Sequence, residues 1–269
     1  KRKVVLVGAG FVGMSMAYSL LNQGGVEELV LIDVNKDKTI GEEMDLSDGL
    51  PYAPHKMKIK AGDYSECKDA NIVVITAGLA QKPGQTRLEL AVVNAKIMKE
   101  ITQNVMANGF SGVFIIASNP VDLMSYVVAE VSGMPKSKVI GSGTVLDSAR
   151  LKYRLGEHLS VDSRSVHAFI VGEHGDSEIA VWSSANVSGI AVDDFCEMRG
   201  HINHDKNMRA IAEQVKNSAY EIIEKKKATY YGIGMAVKRI CEAIVRDEKS
   251  ILPVSSMIHG IYGIDDVVL

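Results

Sequence analysis

The chain has 269 residues, 46% of them hydrophobic and 23% charged, with a net charge of −3. That length suits one large domain or two closely packed ones, and the weakly negative charge excludes a general affinity for nucleic acid or an acidic membrane. No apolar run reaches the length of a membrane span and no signal peptide is visible, so no membrane partner is expected. Cys67, Cys196 and Cys241 are widely spaced and odd in number. Neither a disulfide framework nor a metal-ligand spacing follows, and a reducing, cytoplasmic location is expected. His201-Ile202-Asn203-His204 lacks a glutamate beside its first histidine and a third ligand, so no metal site is expected there. Lys225-Lys226-Lys227 reads as the solvated face of a helix. The first residue is Lys1 rather than methionine, so a few leading residues are expected to be missing.

In chain order, Lys3 to Val7 (KVVLV) is a continuous β-branched run, the pattern of a strand buried on both faces. Gly8-Ala9-Gly10-Phe11-Val12-Gly13 follows at once, then a helical pattern from Met14 to Asn22 and a second strand, Glu28 to Ile32, that ends in Asp33. Strand, glycines, helix, strand and acid together form the dinucleotide-binding fingerprint. Gly8 permits the tight turn, Gly10 admits a pyrophosphate and Gly13 allows close helix–strand packing. The helix N-terminus then supplies N–H groups for the phosphates. An acid at position 33 accepts from ribose hydroxyls and repels an added phosphate, which selects NAD over NADP.

Met57 to Lys60 is a third strand and Asn71 to Thr76 a fourth. The segment from Ala77 and Gly78 to Arg87 is polar and glycine-rich, a loop beyond a strand's carboxyl end, where open α/β sheets bind ligands and mobile lids form. A long helical pattern covers Leu88 to Ala107. Gly112 to Ser118 is a fifth strand, followed by Asn119-Pro120-Val121-Asp122. Pro120 suits the first turn of the next helix with Asn119 at its cap, although a strand-end amide also suits contact with cofactor or substrate. Lys138 to Gly141 is the sixth strand. The expected fold is α/β, with an N-terminal Rossmann-type doubly wound parallel sheet over 1–141. An α+β substrate domain follows over 142–269, with no linker between them.

The second part opens on a helix carrying Asp147 and Arg150, three positions apart and so on one face. Such a pair is either a surface ion pair of little energetic weight or part of a site in which Asp147 serves a histidine and Arg150 an anion. Val166 to Val171 reads as a strand leading into Gly172-Glu173-His174-Gly175-Asp176-Ser177. Glycines on both sides leave the imidazole open, and imidazole exchanges protons near neutral pH. Strand and turn follow from Val181 to Gly189. A helix over Asp205 to Tyr230 with a capping pattern near Asn203, a helix from Met235 to Arg246 and a strand within Ser250 to Ile258 complete the reading.

GAGFVG, LIDV, TAGLAQKPGQTR, SNPVD, GTVLDSAR, GEHGDS and ATYYGI occur in this order from Lys3 to the end of the chain. Together they resemble the L-lactate dehydrogenases, particularly the bacterial ones, of the lactate/malate dehydrogenase superfamily. The resemblance implies reversible reduction of pyruvate to L-lactate by NADH, a glycolytic and fermentative role, and a homotetramer. It implies His174 as proton donor, Asp147 as its orienting partner and Arg87 as the loop arginine that closes over the ketone oxygen. Arg150 would hold the substrate carboxylate, with Gln81, Asn119 and Thr229 also lining the substrate. Gly8, Gly10, Phe11, Val12, Gly13, Asp33, Ala77, Gly78, Asn119 and Ile233 would contact the cofactor. Malate enzymes carry an arginine at the position of Gln81. A neutral glutamine would leave oxaloacetate's second carboxylate unpaired, which selects pyruvate.

Many bacterial members bind fructose bisphosphate through an arginine and a histidine. Lys152 and His167 stand at those positions, so one cation lacks the guanidinium fork. Relatives continue past Leu269 with more strand and a C-terminal helix, and many have glycine where this chain has Lys227. Rival readings are a malate dehydrogenase, another L-2-hydroxy acid dehydrogenase, or a non-catalytic NAD-binding redox sensor. The last has no need of Asp147, Arg150 and His174 together.

Overall fold

The continuous β-branched runs become one parallel sheet. The computed structural model describes residues 2–79 and 86–269, without the side chain of Arg87. Strand β1 (Lys3–Val7) is followed by α1 (Phe11–Gln23), β2 (Glu28–Ile32), α2 (Lys36–Asp48) and β3 (Lys58–Ala61). Then come β4 (Ile72–Ile75), α3 (Arg87–Ala107), β5 (Val113–Ile116), α4 (Val121–Ser132) and β6 (Val139–Gly141). The sheet order is β3-β2-β1-β4-β5-β6, with every pairing parallel. This is the doubly wound order, with its reversal between β1 and β4. All residues of β1, β2 and β4 are buried, including Lys3 and Glu28 that open β1 and β2 ahead of their apolar runs. Buried Lys3, at the N-terminal end of the interior strand β1, is accommodated by Glu66 at 2.8 Å and Asp69 at 2.5 Å.

The link between β3 and β4 contains a short 3-10 turn, Tyr64–Cys67. One local expectation differs. Asn119 does not cap α4. Pro120 occupies that position in extended conformation, so Asn119 lies one residue too early, and no side chain accepts from the first turn.

Packing divides the chain into two units. The first comprises Lys1–Ser142, Tyr230–Ile251 and Ser255–Leu269, and the second Gly143–Thr229 and Leu252–Val254. Most of the chain after residue 229 packs in the first unit, with the six-stranded sheet.

In the second unit, α5 (Val145–Leu159) precedes β7 (Val166–His167), β8 (Ile170–Val171), β9 (Ile179–Ala180), β10 (Asn186–Val187) and β11 (Ile190–Ala191). Helices α6 (Val192–Met198) and α7 (His204–Lys226) follow. Its core joins Leu151, Leu155 and Leu159 of α5 to Val166 and Ile170 and to Met208, Ile211 and Val215 of α7. The expected strand from Val166 to Val171 is two strands, because the chain changes partners midway: β7 pairs with β10 and β8 with β9. Asn203 begins α7 in left-handed conformation and makes no side-chain cap. Lys227 ends α7 at φ +73, the left-handed position that glycine fills without a Cβ penalty.

Back in the first unit, α8 (Tyr231–Val245) starts four residues before the expected Met235. It lies against α1 so closely that a Cβ on Gly234 would meet the backbone nitrogen of Met16 at 2.9 Å. Residues 250–254 form no strand. Ser255 bridges Gly141 at the edge of β6, its hydroxyl donates to Asp122 of α4, and a hairpin of β12 (Met257–Ile261) and β13 (Ile264–Val268) closes the chain. Among the described residues, no helix is long and apolar enough to cross a membrane.

Candidate active site

In the first unit, the carboxyl ends of the sheet strands carry the nucleotide-binding candidates. Gly8 turns at φ +109 directly after β1, and a Cβ on Gly13 would stand 2.0 Å from the Gly8 carbonyl oxygen. No larger residue fits there without moving the turn. Around Gly10 the space is open, with nothing within 4 Å of a built Cβ. Helix α1 begins at Phe11 with no side-chain cap and no acid in its first turn. The N–H groups of the Phe11 and Val12 turn thus remain available to an anion. Asp33, at the end of β2, accepts from the backbone N–H of Ala9 at 2.8 Å and of Asn35 at 3.0 Å. It is thereby fixed beside the glycine turn, where a ribose would sit. An open glycine, an uncapped helix start and a fixed acid fit a dinucleotide's pyrophosphate and ribose.

Ala77 and Gly78 follow β4 and are held from two sides. The Ser118 hydroxyl donates to the Ala77 carbonyl at 2.5 Å. The side chain of Asn94, 2% exposed on α3, accepts from Leu79 N–H at 2.8 Å and donates to the Leu79 and Asn119 carbonyls at 3.2 and 2.9 Å. One buried amide therefore ties together the chain after β4 and the chain after β5, including exposed Asn119. Sequence reasoning missed Asn94. Its only trace is a polar residue among the apolar positions of a long helix. Ile233, partly buried, lies in the first turn of α8.

The second unit contains the acid–base cluster. Asp147, in the first turn of α5, is buried, with its side chain 3% exposed. One oxygen, Oδ2, accepts from His174 Nδ1 at 2.7 Å and the other from Arg150 at 3.0 Å. An ionised carboxylate has no proton to give, so Nδ1 carries the hydrogen and the tautomer is set. Asp147 and Arg150 share a helix face as their spacing indicates, and the pair is mostly buried rather than a surface ion pair. His174 lies in the loop between β8 and β9, which Tyr220 of α7 braces by donating to Asp176 at 2.9 Å.

Glu178, at the end of the same loop, was also missed. One oxygen of Glu178, one of Asp147 and a ring nitrogen of His174 all lie within 4.8 Å of one another. Burial, then the Asp147 charge, pushes the Glu178 carboxyl up to about 7, against opposing contributions from His174, Arg150 and Lys216. His204 Nε2 meets Asp193 at 2.5 Å, and the His201 and His158 rings lie tilted with centroids 4.3 Å apart.

Thr229 is partly buried in the short link after α7. Lys152 of α5 has its ammonium 5.5 Å from the centre of the Phe169 ring, and burial lowers its pKa. His167 is exposed on β7. Gln81 lies outside the described residues, as does the side chain of Arg87. The Arg87 backbone opens α3 behind the Thr86–Glu89 capping box.

Sheet order, glycine turn and Asp33 define a dinucleotide-binding α/β protein of the dehydrogenase class. The chain belongs to the lactate/malate dehydrogenase family. Residues 2–141 match the family's NAD-binding domain and residues 144–269 its alpha/beta C-terminal domain. It is 53% identical over 266 residues to L-lactate dehydrogenase 2 of Lactococcus lactis subsp. lactis, covering 99% of this chain and 84% of that one. To the L-lactate dehydrogenase of Bacillus velezensis it is 52% identical, covering 98% and 83%. Among solved structures, it is similar to a lactate dehydrogenase, MGS-M5, from a Medee basin deep-sea metagenome library. The TM-score is 0.95 at 52% identity, with 100% of this chain and 85% of that one covered. The ligand-bound minor L-lactate dehydrogenase of Enterococcus mundtii gives 0.95 at 50% identity, with the same coverage.

Proposed function

We propose that the protein is an NAD-dependent L-lactate dehydrogenase in which His174 exchanges the proton of the reaction. The observation that carries this reading is the single buried carboxylate, Asp147, that holds both His174 and Arg150, in a chain about half identical to L-lactate dehydrogenases.

NAD, when bound, supplies or accepts the hydride, and the residues of this chain supply the rest. Reduction of a ketone builds negative charge on its oxygen, which needs a proton donor and a cation. Protonated His174 delivers the proton from Nε2, because Nδ1 is committed to Asp147. The Asp147 charge favours the imidazolium that this step consumes. Arg150 offers a planar fork for the substrate carboxylate, and its bond to Asp147 fixes where that fork points. In the reverse direction, neutral His174 takes the hydroxyl proton. Arg87 is assigned to the ketone oxygen, and Gln81 and Thr229 to the substrate side chain. Asn119, Ala77 and Gly78 are assigned to the cofactor, with Ile233 near its nicotinamide. Phe11 and Val12 are assigned to the pyrophosphate.

The same reading includes a homotetramer, a cytoplasmic location and a fermentative role that regenerates NAD from NADH. Activation by fructose bisphosphate at Lys152 and His167 belongs to it in weakened form. The Lys152 ammonium is held against Phe169, and lysine lacks the fork that grips phosphate.

The test is a steady-state comparison of pyruvate, oxaloacetate and a branched 2-oxo acid with NADH. Pyruvate should have the highest kcat/KM. A higher value for oxaloacetate would overturn the assignment of Gln81, and Gln81→Arg should move preference toward oxaloacetate. Absence of turnover with all three would favour the non-catalytic sensor. Pyruvate saturation curves with and without fructose bisphosphate that superimpose would remove the allosteric part.

A further inference from the structure

The acid–base cluster contains one carboxyl more than a histidine–aspartate couple needs. Asp147 already orients the His174 ring and uses both its oxygens, one on His174 and one on Arg150. Glu178 adds a second carboxyl within 4.8 Å of both the Asp147 carboxylate and the His174 ring. It is partly buried, and it is positioned by the loop that positions His174. Its own N–H donates to the Gly175 carbonyl at 3.2 Å, and the next two residues form β9 against β8. The charged and titratable groups that face it are Asp147 and Arg150 from α5, His174 from its own loop and Lys216 from α7.

We propose that Glu178 is a positioning residue for the reaction, its carboxyl setting the charge balance against which the His174 imidazole gains and loses its proton.

Charge counting gives the reason. With His174 protonated, the cluster of Asp147, Arg150, His174 and ionised Glu178 is neutral. When the imidazolium gives its proton to the ketone oxygen, the same four groups carry one excess negative charge. Two carboxylates this close then disfavour each other, and Glu178 relieves the excess by taking a proton from water. The tendency of burial and of Asp147 to keep Glu178 protonated near neutrality acts in the same direction. His174 and Glu178 are therefore a linked pair, and the pH dependence of turnover belongs to both. Lys216 offsets part of the negative charge.

The inference rests on His174 as the proton donor, and the test separates the two claims. In Glu178→Gln the negative charge is gone, so imidazolium is less favoured. The high-pH limb of pyruvate reduction and the low-pH limb of lactate oxidation should both move toward acid by about one pH unit. A merely structural role would scale both profiles without moving either midpoint. Glu178→Asp, which keeps the charge, should restore the wild-type midpoints. Glu178→Ser, neutral and smaller, should repeat the shift of the glutamine variant. The titration of the His174 imidazole, followed by NMR in the full chain, should shift by the same amount as the kinetic limbs. Unmoved midpoints in both neutral variants, or an unmoved imidazole titration, would overturn the inference. A wild-type chain unable to reduce pyruvate would refute the functional reading, while the imidazole titration still decides the role of Glu178.

Discussion

Asp147 Oδ2 stands 2.7 Å from His174 Nδ1, with the aspartate side chain 3% exposed. Burial makes this carboxylate dependent on its two cationic partners, and in return it fixes the tautomer and favours the charge of the imidazole. Asp147→Asn keeps the shape and removes the charge. We expect kcat/KM for pyruvate to fall by about 100-fold or more, the usual scale of general acid catalysis, with NADH binding retained. Steady-state kinetics with a parallel NADH fluorescence titration would check this. Equal losses of NADH binding and turnover would point to misfolding instead.

Asn94 makes three hydrogen bonds from a buried position to the chain after β4 and after β5. Asn94→Ala strands a backbone N–H and two carbonyls, so stability should drop by about 2–3 kcal/mol. The KM for NADH should rise as Ala77 and Gly78 loosen. Urea unfolding and NADH saturation report the two effects. A loss of less than about 0.5 kcal/mol, the range of an ordinary surface change, would refute the tie.

Lys227 occupies φ +73 at the end of α7. A Cβ there costs about 1 kcal/mol or somewhat more, set against a surface hydrogen bond from its ammonium to the Glu224 carbonyl. Lys227→Gly should therefore raise the urea midpoint by an amount equivalent to about 0.5–1 kcal/mol. A lowered midpoint would show that the ammonium contact matters more than the backbone strain.

Glu178 also links stability to pH. Its carboxyl is pushed from the ordinary 4.5 up to about 7 in the folded chain. Across that window the folded state binds more protons than the unfolded state, so this group's contribution is present at low pH and is lost as pH rises toward about 7. The glutamine variant lacks this slope. The difference in unfolding free energy, variant minus wild type, should grow between pH 5 and about 7.5 and then level off. A difference that is constant with pH would contradict the raised value.

The six sheet strands and the glycine turn were legible because each rests on local pattern. An unbroken β-branched run is buried on both faces, and Gly8, Gly10 and Gly13 serve one turn. Asp147 and Arg150 were legible by helix spacing, and His174 by its glycines. What was hidden depends on tertiary approach. Strands of two residues, such as β7 and β8, are too short for a period. The return of α8 onto α1 depends on a missing Cβ at Gly234, which sequence registers only as a glycine. Asn94 and Glu178 carry ordinary helix and loop residue types, and their roles arise from what the fold places beside them. The Lys227 substitution was visible, but its reason lies in a backbone angle.

His174 is the group proposed to carry the reaction's proton. The most direct test of that role is pyruvate reduction by His174→Ala at neutral pH, with thermal unfolding and NADH binding measured on the same sample. We expect kcat/KM to fall by about 10²- to 10⁴-fold, with the unfolding midpoint and NADH affinity close to those of the wild type. Near-normal turnover in a folded, NADH-binding variant would contradict the account.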